Sequence, residues 1–149
     1  MKILTLLLLS LSLNLLANPC RHTITSFRCA KFINNYDGDT INFEIRGVHP
    51  IIGRKMPVRV KGINTPEIRT KNKCEYQLAI KAKAFVHNVL SKAKRIDLDN
   101  LSRGKYFRLV ADITVDSKDL KTMLLRRRLG HIYDGQGPRK IDWCRFIKN

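Results

Sequence analysis

Length, composition and charge limit the class of protein to which this chain can belong. Its 149 residues fit one domain rather than two, and 44% hydrophobic with 28% charged residues is ordinary for a soluble domain with one core. The 29 Lys and Arg against 12 Asp and Glu give a formal net charge of +17, which attracts polyanions. Nucleic acid, anionic membrane surfaces and acidic polysaccharides all qualify, and charge alone does not choose among them.

The N-terminus has the features of a secretory signal peptide. A single basic residue is followed by a mostly apolar run that ends at Ala17, and this run is shorter than the about 20 residues that a spanning helix needs. We therefore predict a signal peptide over residues 1–17 and export to the periplasm or the extracellular medium, with an uncleaved membrane anchor as the alternative. Asn18 and Pro19 precede Cys20, where a lipoprotein signal would have small residues, so we predict no lipid anchor.

Four cysteines remain in the predicted mature chain. An even number in an exported protein favours two disulfides, and four cysteines allow three pairings. We favour Cys20–Cys29, which closes a short loop, and Cys74–Cys144, which ties the C-terminal tail to the body. Zinc is the competing interpretation, but Cys20, His22 and Cys29 lack the paired short spacing of a zinc site.

The first part of the mature chain is predicted to be β structure. Residues 27–45 are typical of strands, and residues 40–45 alternate polar and apolar with period two. Residues 47–57 contain two Gly and two Pro, which predicts a long loop or an irregular hairpin. Residues 58–63 alternate again as a strand, and residues 64–67 break it.

A long helix is predicted over residues 76–93, because apolar residues recur there at helical spacing. Its predicted buried stripe is formed by Leu78, Ala82, Phe85 and Val89. Residues 96–99 and 109–115 are predicted to follow as strands.

A second helix is predicted over residues 119–129, and Gly130 stands where a helix terminator is expected. Its predicted buried side is formed by Leu120, Met123 and Leu124. Beyond Tyr133 we predict a loop and a short helix around Trp143. Five short strands with a helix between the third and fourth predict an α+β domain: a five-stranded Greek-key barrel of the oligonucleotide-binding (OB) type with two to three packed helices.

Three polar clusters lie at the ends of predicted strands. The turn at residues 37–40, Asp-Gly-Asp-Thr, gathers two carboxylates and a hydroxyl, as calcium prefers, although Asp-Gly is also a common turn. Residues 59–67 place an Arg on a strand and Asn, Thr and Glu in the following turn; near a metal, this combines a phosphate clamp with a general base. Residues 105–108, Lys-Tyr-Phe-Arg, offer cations for phosphate and a ring for a base.

In this order and on this strand pattern, the three clusters resemble those of the thermonuclease (staphylococcal nuclease) family. The resemblance runs from about Ile33 to Tyr133. It implies a Ca²⁺-dependent endonuclease that hydrolyses DNA and RNA to 3′-phosphorylated products. We expect one nuclease domain over residues 18–149, with the family-like core at about residues 31–135 and a tail at residues 136–149. We expect a monomer with no stable membrane insertion after signal cleavage.

The resemblance implies one calcium site and one general base. Asp39 resembles the main calcium-binding carboxylate of the family. Asn64 stands where the family commonly has a second calcium-binding Asp, and Thr65 matches the residue that offers its backbone carbonyl to the ion. Glu67 resembles the acid that positions or deprotonates the attacking water.

The resemblance also implies a substrate-binding set. Arg59 and Arg108 resemble the two arginines that grip the scissile phosphate. Lys105 and Tyr106 resemble residues that line the nucleotide pocket. Tyr133 is a poorer match to a later pocket tyrosine, because the local length differs.

Three positions depart from the family pattern. Asn64 replaces a carboxylate, which predicts weaker calcium binding. The stretch between Asp39 and Arg59 is longer than in the best-known members. Phe107 takes a position usually held by glycine, where its bulk either alters the pocket or packs in the barrel.

Two other functions remain open from the sequence. A barrel that binds nucleic acid without cutting it is motivated by the weakened metal site at Asn64. A cationic secreted protein that targets anionic membranes or polysaccharides is motivated by the net charge, but it leaves the polar clusters unexplained. Residues 126–128, three arginines, are interpreted as a solvated helix end, and His87 and Trp143 as structural residues.

Overall fold

The computed structural model describes residues 19–136 and 141–148. The signal peptide predicted over residues 1–17 and part of the predicted tail, residues 137–140, lie outside the described residues. The strands are β1 (Lys31–Asn35), β2 (Thr40–Glu44), β3 (Met56–Val60), β4 (Ile63–Asn64), β5 (Ile96–Arg103), β6 (Leu109–Val115), β7 (Lys118–Asp119) and β8 (His131–Ile132). The helices are α1 (Pro50–Gly53), α2 (Lys73–Ser91), α3 (Leu120–Arg126) and α4 (Trp143–Lys148).

The main sheet is mixed and six-stranded. Its strands follow the order β1-β2-β3-β6-β5, β7 pairs with β6, and β4 and β8 form a separate two-stranded sheet. The pair β3–β6 is parallel and the other pairs are antiparallel. Just before β1, the backbone N–H groups of Phe27 and Ala30 donate to the carbonyls of Leu98 and Ile96 in β5. The segment that leads into Lys31 therefore links β1, at one edge of the sheet, to β5, at the other edge. The α+β class predicted from the sequence is confirmed.

The core lies between this sheet and the helices. Ile41 and Phe43 on β2 are fully buried, as is Val58 on β3, and Val60 is 1% exposed. Alternate side chains of a strand point to opposite faces of the sheet. Arg59, between Val58 and Val60, is therefore directed away from this apolar face, which makes it available for a polar site.

The segment over residues 47–57 differs from the predicted loop. It contains α1, because the side chain of His49 accepts a hydrogen bond from the backbone N–H of Ile51 and Pro50 occupies the first turn. It also contains the start of β3 at Met56. Proline and glycine here mark the ends of a short helix rather than an irregular loop.

The long helix begins at Lys73 rather than at Tyr76, because the side chain of Asn72 caps it. Its buried face is rotated from the predicted stripe, since Val86 and Leu90 are buried whereas Phe85 is only partly buried. The ring of Phe85 is instead covered by the guanidinium of Arg127, 4.6 Å from the ring centroid. Val89, which was also predicted to lie in the buried stripe, is likewise only partly buried.

The second helix, α3, ends at Arg126, earlier than predicted. Arg128, with φ of 56°, has the left-handed conformation that we expected of Gly130. Gly130 is required for space, because a Cβ there would lie 2.6 Å from Cδ1 of Ile63. This close approach brings β8 against β4, the strand that carries Asn64.

Two disulfides join Cys20 to Cys29 and Cys74 to Cys144, the pairs favoured from the sequence. Disulfides persist in oxidising compartments, so they indicate an exported location. No helix in the described part of the chain is long and apolar enough to cross a membrane.

The two disulfides are expected to differ in their contribution to stability. In the chain-entropy description, Cys74–Cys144, which closes a separation of 70 residues, contributes about 4 kcal/mol, and Cys20–Cys29, with a separation of 9, about 2.5 kcal/mol. Urea unfolding of the C74S/C144S and C20S/C29S double variants measures both losses. An equal or larger loss for C20S/C29S would contradict this ranking.

Candidate active site

The turn between β1 and β2 is held by its own first carboxylate. Oδ1 of Asp37 accepts hydrogen bonds from the backbone N–H groups of Asp39 at 2.9 Å and Thr40 at 2.7 Å. Gly38 packs tightly, because a Cβ there would lie 2.9 Å from both Ala82 Cβ and Thr65 Cγ2. The turn is thus fixed against α2 and against the segment that follows β4.

The carboxylate of Asp39 is the centre of the site. Asp39 is only 2% exposed, and its Oδ1 accepts from Nη1 of Arg59 at 2.6 Å and from the hydroxyl of Thr40 at 3.2 Å. Its Oδ2 accepts from the backbone N–H of Thr65 at 3.0 Å. A buried carboxylate needs such partners, because an unpaired charge in the interior is costly.

Arg59 connects three segments of the chain. It is the cross-strand partner of Thr40, which places its side chain beside the β1–β2 turn. Besides Asp39, its guanidinium donates to Oδ1 of Asn64 at 2.9 Å and to the carbonyl of Ile63 at 3.3 Å. The structure therefore brings together four of the residues selected from the sequence, namely Asp39, Arg59, Asn64 and Thr65.

Excess negative charge surrounds Asp37. Burial, then the charge of Asp39 and, more weakly, that of Glu67 raise the pKa of Asp37 to about 7. The carboxyl of Asp37 therefore holds a proton more readily than an exposed aspartate does.

Glu75 supports the segment that carries Glu67, and the sequence analysis did not select it. Its Oε1 accepts from the backbone N–H of Glu67 at 3.2 Å, and its Oε2 accepts from the hydroxyl of Thr70 at 2.7 Å. The sequence did contain an indication that Glu75 makes local contacts, because Asn72 and Glu75 have the spacing of a helix capping box. Here the carboxylate of Glu75 bonds to the loop before α2 instead of to the backbone N–H of Asn72.

A cleft of about 590 Å³ opens beside Arg59. In the parallel register of β3 and β6, Arg59 is the partner of Val110, which follows Arg108 by two residues. The cleft is therefore lined by Arg59 together with Lys105, Arg108 and Tyr133. Cationic side chains around an open cleft provide a binding site for phosphate.

The sequence model of the family described as Staphylococcal nuclease homologue matches residues 57–142. The chain belongs to this family. The matched range includes Arg59, Glu67 and Arg108 of the staphylococcal nuclease pattern, whereas the turn at residues 37–40 precedes it. The contact between Asp39 and Arg59 is thus an observation independent of the match. No curated protein matches the chain.

Two residues of the third cluster lie outside the cleft. Tyr106 and Phe107 form the tip of the β5–β6 turn with φ of 57° and 53°, and Tyr106 is 92% exposed. This left-handed conformation is the one that favours glycine, the residue that the family resemblance led us to expect at the position of Phe107. Phe107 is 52% exposed, with the guanidinium of Arg103 at 6.0 Å from its ring centroid, so it does not pack in the core.

The residues interpreted as structural have structural contacts. His87 lies edge-on to Phe32 at 5.4 Å between ring centroids, and the buried Trp143 lies 5.4 Å from His131. His131 is the cross-strand partner of Asn64. The C-terminal helix α4 therefore packs, through Trp143, against the strand that pairs with Asn64.

Staphylococcal nuclease homologues typically bind Ca²⁺. Among residues 19–136 and 141–148, no three His, Cys, Asp or Glu side chains form a metal-binding group. The available donors are the carboxylate of Asp39, the amide oxygen of Asn64 and the oxygens of Thr65, whose buried hydroxyl has no hydrogen-bond partner in the described chain. Such hard oxygens fit a calcium ion. Arg59 bonds to two of them and therefore competes with the ion.

Proposed function

We propose that the protein is a secreted, Ca²⁺-dependent endonuclease that hydrolyses phosphodiester bonds of DNA and RNA to 3′-phosphorylated products. One observation carries the proposal: Arg59 contacts the buried Asp39 and also lines the cleft that contains Arg108. The cation-binding carboxylate and the phosphate-binding arginines are thereby adjacent. Membership of a nuclease family supports the same reaction.

In the proposed reaction, the two arginines bind the scissile phosphate and Glu67 takes a proton from the attacking water. The water oxygen bonds to phosphorus and the bond to the 5′ oxygen breaks; the departing 5′ oxygen takes up a proton from solvent, which leaves a 3′-phosphate and a 5′-hydroxyl. Negative charge develops on the phosphate oxygens, and planar guanidiniums of Arg59 and Arg108 neutralise it through paired hydrogen bonds. Lys105, Tyr106 and Tyr133 contact the nucleotide.

Asp39, Asn64 and Thr65 would hold one calcium ion. When bound, the ion supplies positive charge to the phosphate at the developing negative charge. Asp39 is the one residue of this set with a formal negative charge, and its carboxylate also bonds to the guanidinium of Arg59. We therefore infer that calcium binds more weakly here than at a site with two carboxylates.

We also propose that β1, β2, β3, β5 and β6 close into a five-stranded Greek-key barrel of the OB type. The hydrogen bonds of Phe27 and Ala30 to β5 support closure, because they join the chain next to one edge strand with the other edge strand. The mature protein would be one domain over residues 18–149, a monomer exported to the periplasm or beyond and not inserted in the membrane. The two disulfides support export.

The test is digestion of single-stranded DNA and RNA by the purified protein across calcium concentrations and with chelator. The expected result is cleavage to 3′-phosphate ends that chelator abolishes. The bond of Asn64 to Arg59 favours the second candidate, a nucleic-acid-binding protein without catalysis. Tight DNA binding without cleavage at every calcium concentration would establish that alternative.

Substitution of Asn64 by Asp is expected to strengthen calcium binding. The added carboxylate supplies a second formal negative ligand at a buried position beside Asp39. We expect the calcium concentration for half-maximal activity to fall about tenfold, which corresponds to ~1.4 kcal/mol. A calcium titration of wild type and N64D measures it, with calorimetry for binding. An unchanged or higher calcium requirement would exclude Asn64 as a ligand.

A further inference from the structure

A second groove lies between the β1–β2 hairpin and α2, and it shares no lining residue with the Arg59 cleft. It has a volume of about 680 Å³, which suits one or two nucleotides. The β1–β2 hairpin forms one wall with Asn34, Asn35, Tyr36 and Asn42, and α2 forms the other with Ile80, Lys83, Ala84 and His87. None of these residues belongs to the site described above.

The groove adjoins the β1–β2 turn, which carries Asp37 and Asp39. Tyr36 directly precedes Asp37, and Nδ2 of Asn35 donates to the carbonyl of Asp37 at 2.8 Å and to that of Lys83 at 3.0 Å. Asn35 thereby joins the β1–β2 turn to α2 at the end of the groove.

The β wall presents amides that can recognise the edges of bases. Nδ2 of Asn42 donates to Oδ1 of Asn34 at 2.7 Å, which fixes the two side chains and leaves a donor on one and an acceptor on the other. Asn35 is 5% exposed, and its Oδ1 has no hydrogen-bond partner within the described residues. A buried acceptor without a partner is unusual in a folded protein.

An aromatic ring in the lining of the groove lies under a guanidinium from the segment that follows Glu67. The side chain of Tyr36 is on the surface, with 41% of the residue exposed, and the guanidinium of Arg69 lies over its ring at 5.8 Å from the centroid. Arg69 follows Glu67 by two residues, so this pair stands beside the general base. Aromatic rings and Arg planes are the groups on which unpaired bases stack.

The charge of the groove also suits a polynucleotide. Lys83 lines it, Arg69 lies over the ring of Tyr36 in its lining, and none of the eight lining residues is acidic. A phosphodiester chain is therefore attracted along the groove. Its amide, aromatic and cationic side chains together match the base, sugar and phosphate of a nucleotide.

We infer that this groove binds the nucleotides on the far side of the scissile phosphate from the Arg59 cleft, with a base stacked on Tyr36 and Arg69. The inference rests on the proposed nuclease function and extends it. Stacking on Tyr36 requires a base that is not paired within a duplex.

The test uses binding to a protein that does not cut. In the E67Q background, the Kd of a fluorescent eight-nucleotide single-stranded DNA is measured by anisotropy for three further variants, Y36A, Y36F and I51A. We expect Y36A to raise the Kd about tenfold, because stacking on one base is lost, and Y36F, which retains the ring, to restore it. I51A removes an exposed apolar side chain on α1, outside the groove, and is expected to have no effect.

A short ligand separates a binding role from a structural one. A nucleoside 3′,5′-bisphosphate is too short to occupy both the cleft and the groove, so its Kd is expected to be the same with and without Y36A. Equal weakening of both ligands, or no weakening of the oligonucleotide, would overturn the inference. So would equal affinity for a blunt duplex of the same length. If wild-type protein fails to cut DNA, the proposed function fails, whereas the Kd comparison still decides the role of the groove.

Discussion

Glu67→Gln is expected to lower kcat for hydrolysis of single-stranded DNA by about 100- to 10,000-fold, with little change in the Kd for the same DNA. The amide keeps the size of the side chain but cannot accept a proton from water. The backbone N–H of Glu67 still bonds to Glu75, so the loop keeps its position. Single-turnover cleavage measures the chemical step, and anisotropy measures binding.

Glu44→Gln is the matched control. Glu44 lies on β2, and its carboxylate makes surface ion pairs with Lys31 and Arg46 rather than contacts with the site. Exposed pairs of this kind contribute little to stability, so we expect kcat and the melting temperature to stay close to those of wild type. Full activity of E67Q would remove Glu67 from the reaction and, with it, the proposed mechanism.

Arg59→Ala is expected to damage both stability and catalysis. The side chains of Arg59 and Asp39 are only 11% and 2% exposed, and loss of the cation leaves a buried carboxylate without its charge partner. Removing one member of such a pair costs about 3 kcal/mol of unfolding free energy. We also expect kcat/KM to fall by at least about 100-fold, because one of the two phosphate-binding guanidiniums is lost.

A double-mutant cycle separates these two effects. Adding Asp39→Asn to Arg59→Ala removes the uncompensated charge, so urea unfolding should show the double variant to be more stable than R59A by about 1–2 kcal/mol. Catalysis should not recover, because neither the guanidinium nor the calcium-binding carboxylate is present. Arg46→Ala, at a side chain 78% exposed, serves as the surface control. If the double variant were no more stable than R59A, the unpaired carboxylate of Asp39 would not be the cause of the instability of R59A.

Local patterns of the sequence predicted much of the fold. Alternation over residues 40–45 predicted β2, and apolar residues at helical spacing predicted α2. The strand predicted over residues 58–63 is only partly correct, because β3 ends at Val60 and a turn at residues 61–62 separates it from β4. Boundaries were predicted less well, because they depend on side-chain caps such as that of Asn72. The orientation of α2 about its axis was also missed, because Arg127, distant in sequence, covers Phe85 and leaves Val86 to face the core.

The sequence predicted the candidate site residues one by one, but it did not predict which of their side chains are in contact. The sequence selected Asp39, Arg59 and Asn64 by residue type and by resemblance. It did not indicate that the guanidinium bonds to both other side chains, since this contact depends on the pairing of Thr40 with Arg59 across two strands. Glu75 was missed for the same reason, because its partner, the backbone of Glu67, is brought to it only when α2 docks.

The sequence by itself determined the family, the α+β class and the residue types available for phosphate chemistry, because these depend on local periodicity and on short motifs. The tertiary structure alone decided which charges face each other. Parallel pairing of β3 with β6 brings Arg59 and Arg108 to one cleft, and the antiparallel β1–β2 hairpin places Asp39 under Arg59 and Tyr36 in a second groove. Electrostatic and stacking interactions act over a few ångströms, whereas the residues involved are tens of positions apart in the chain, so only the folded chain brings them into contact.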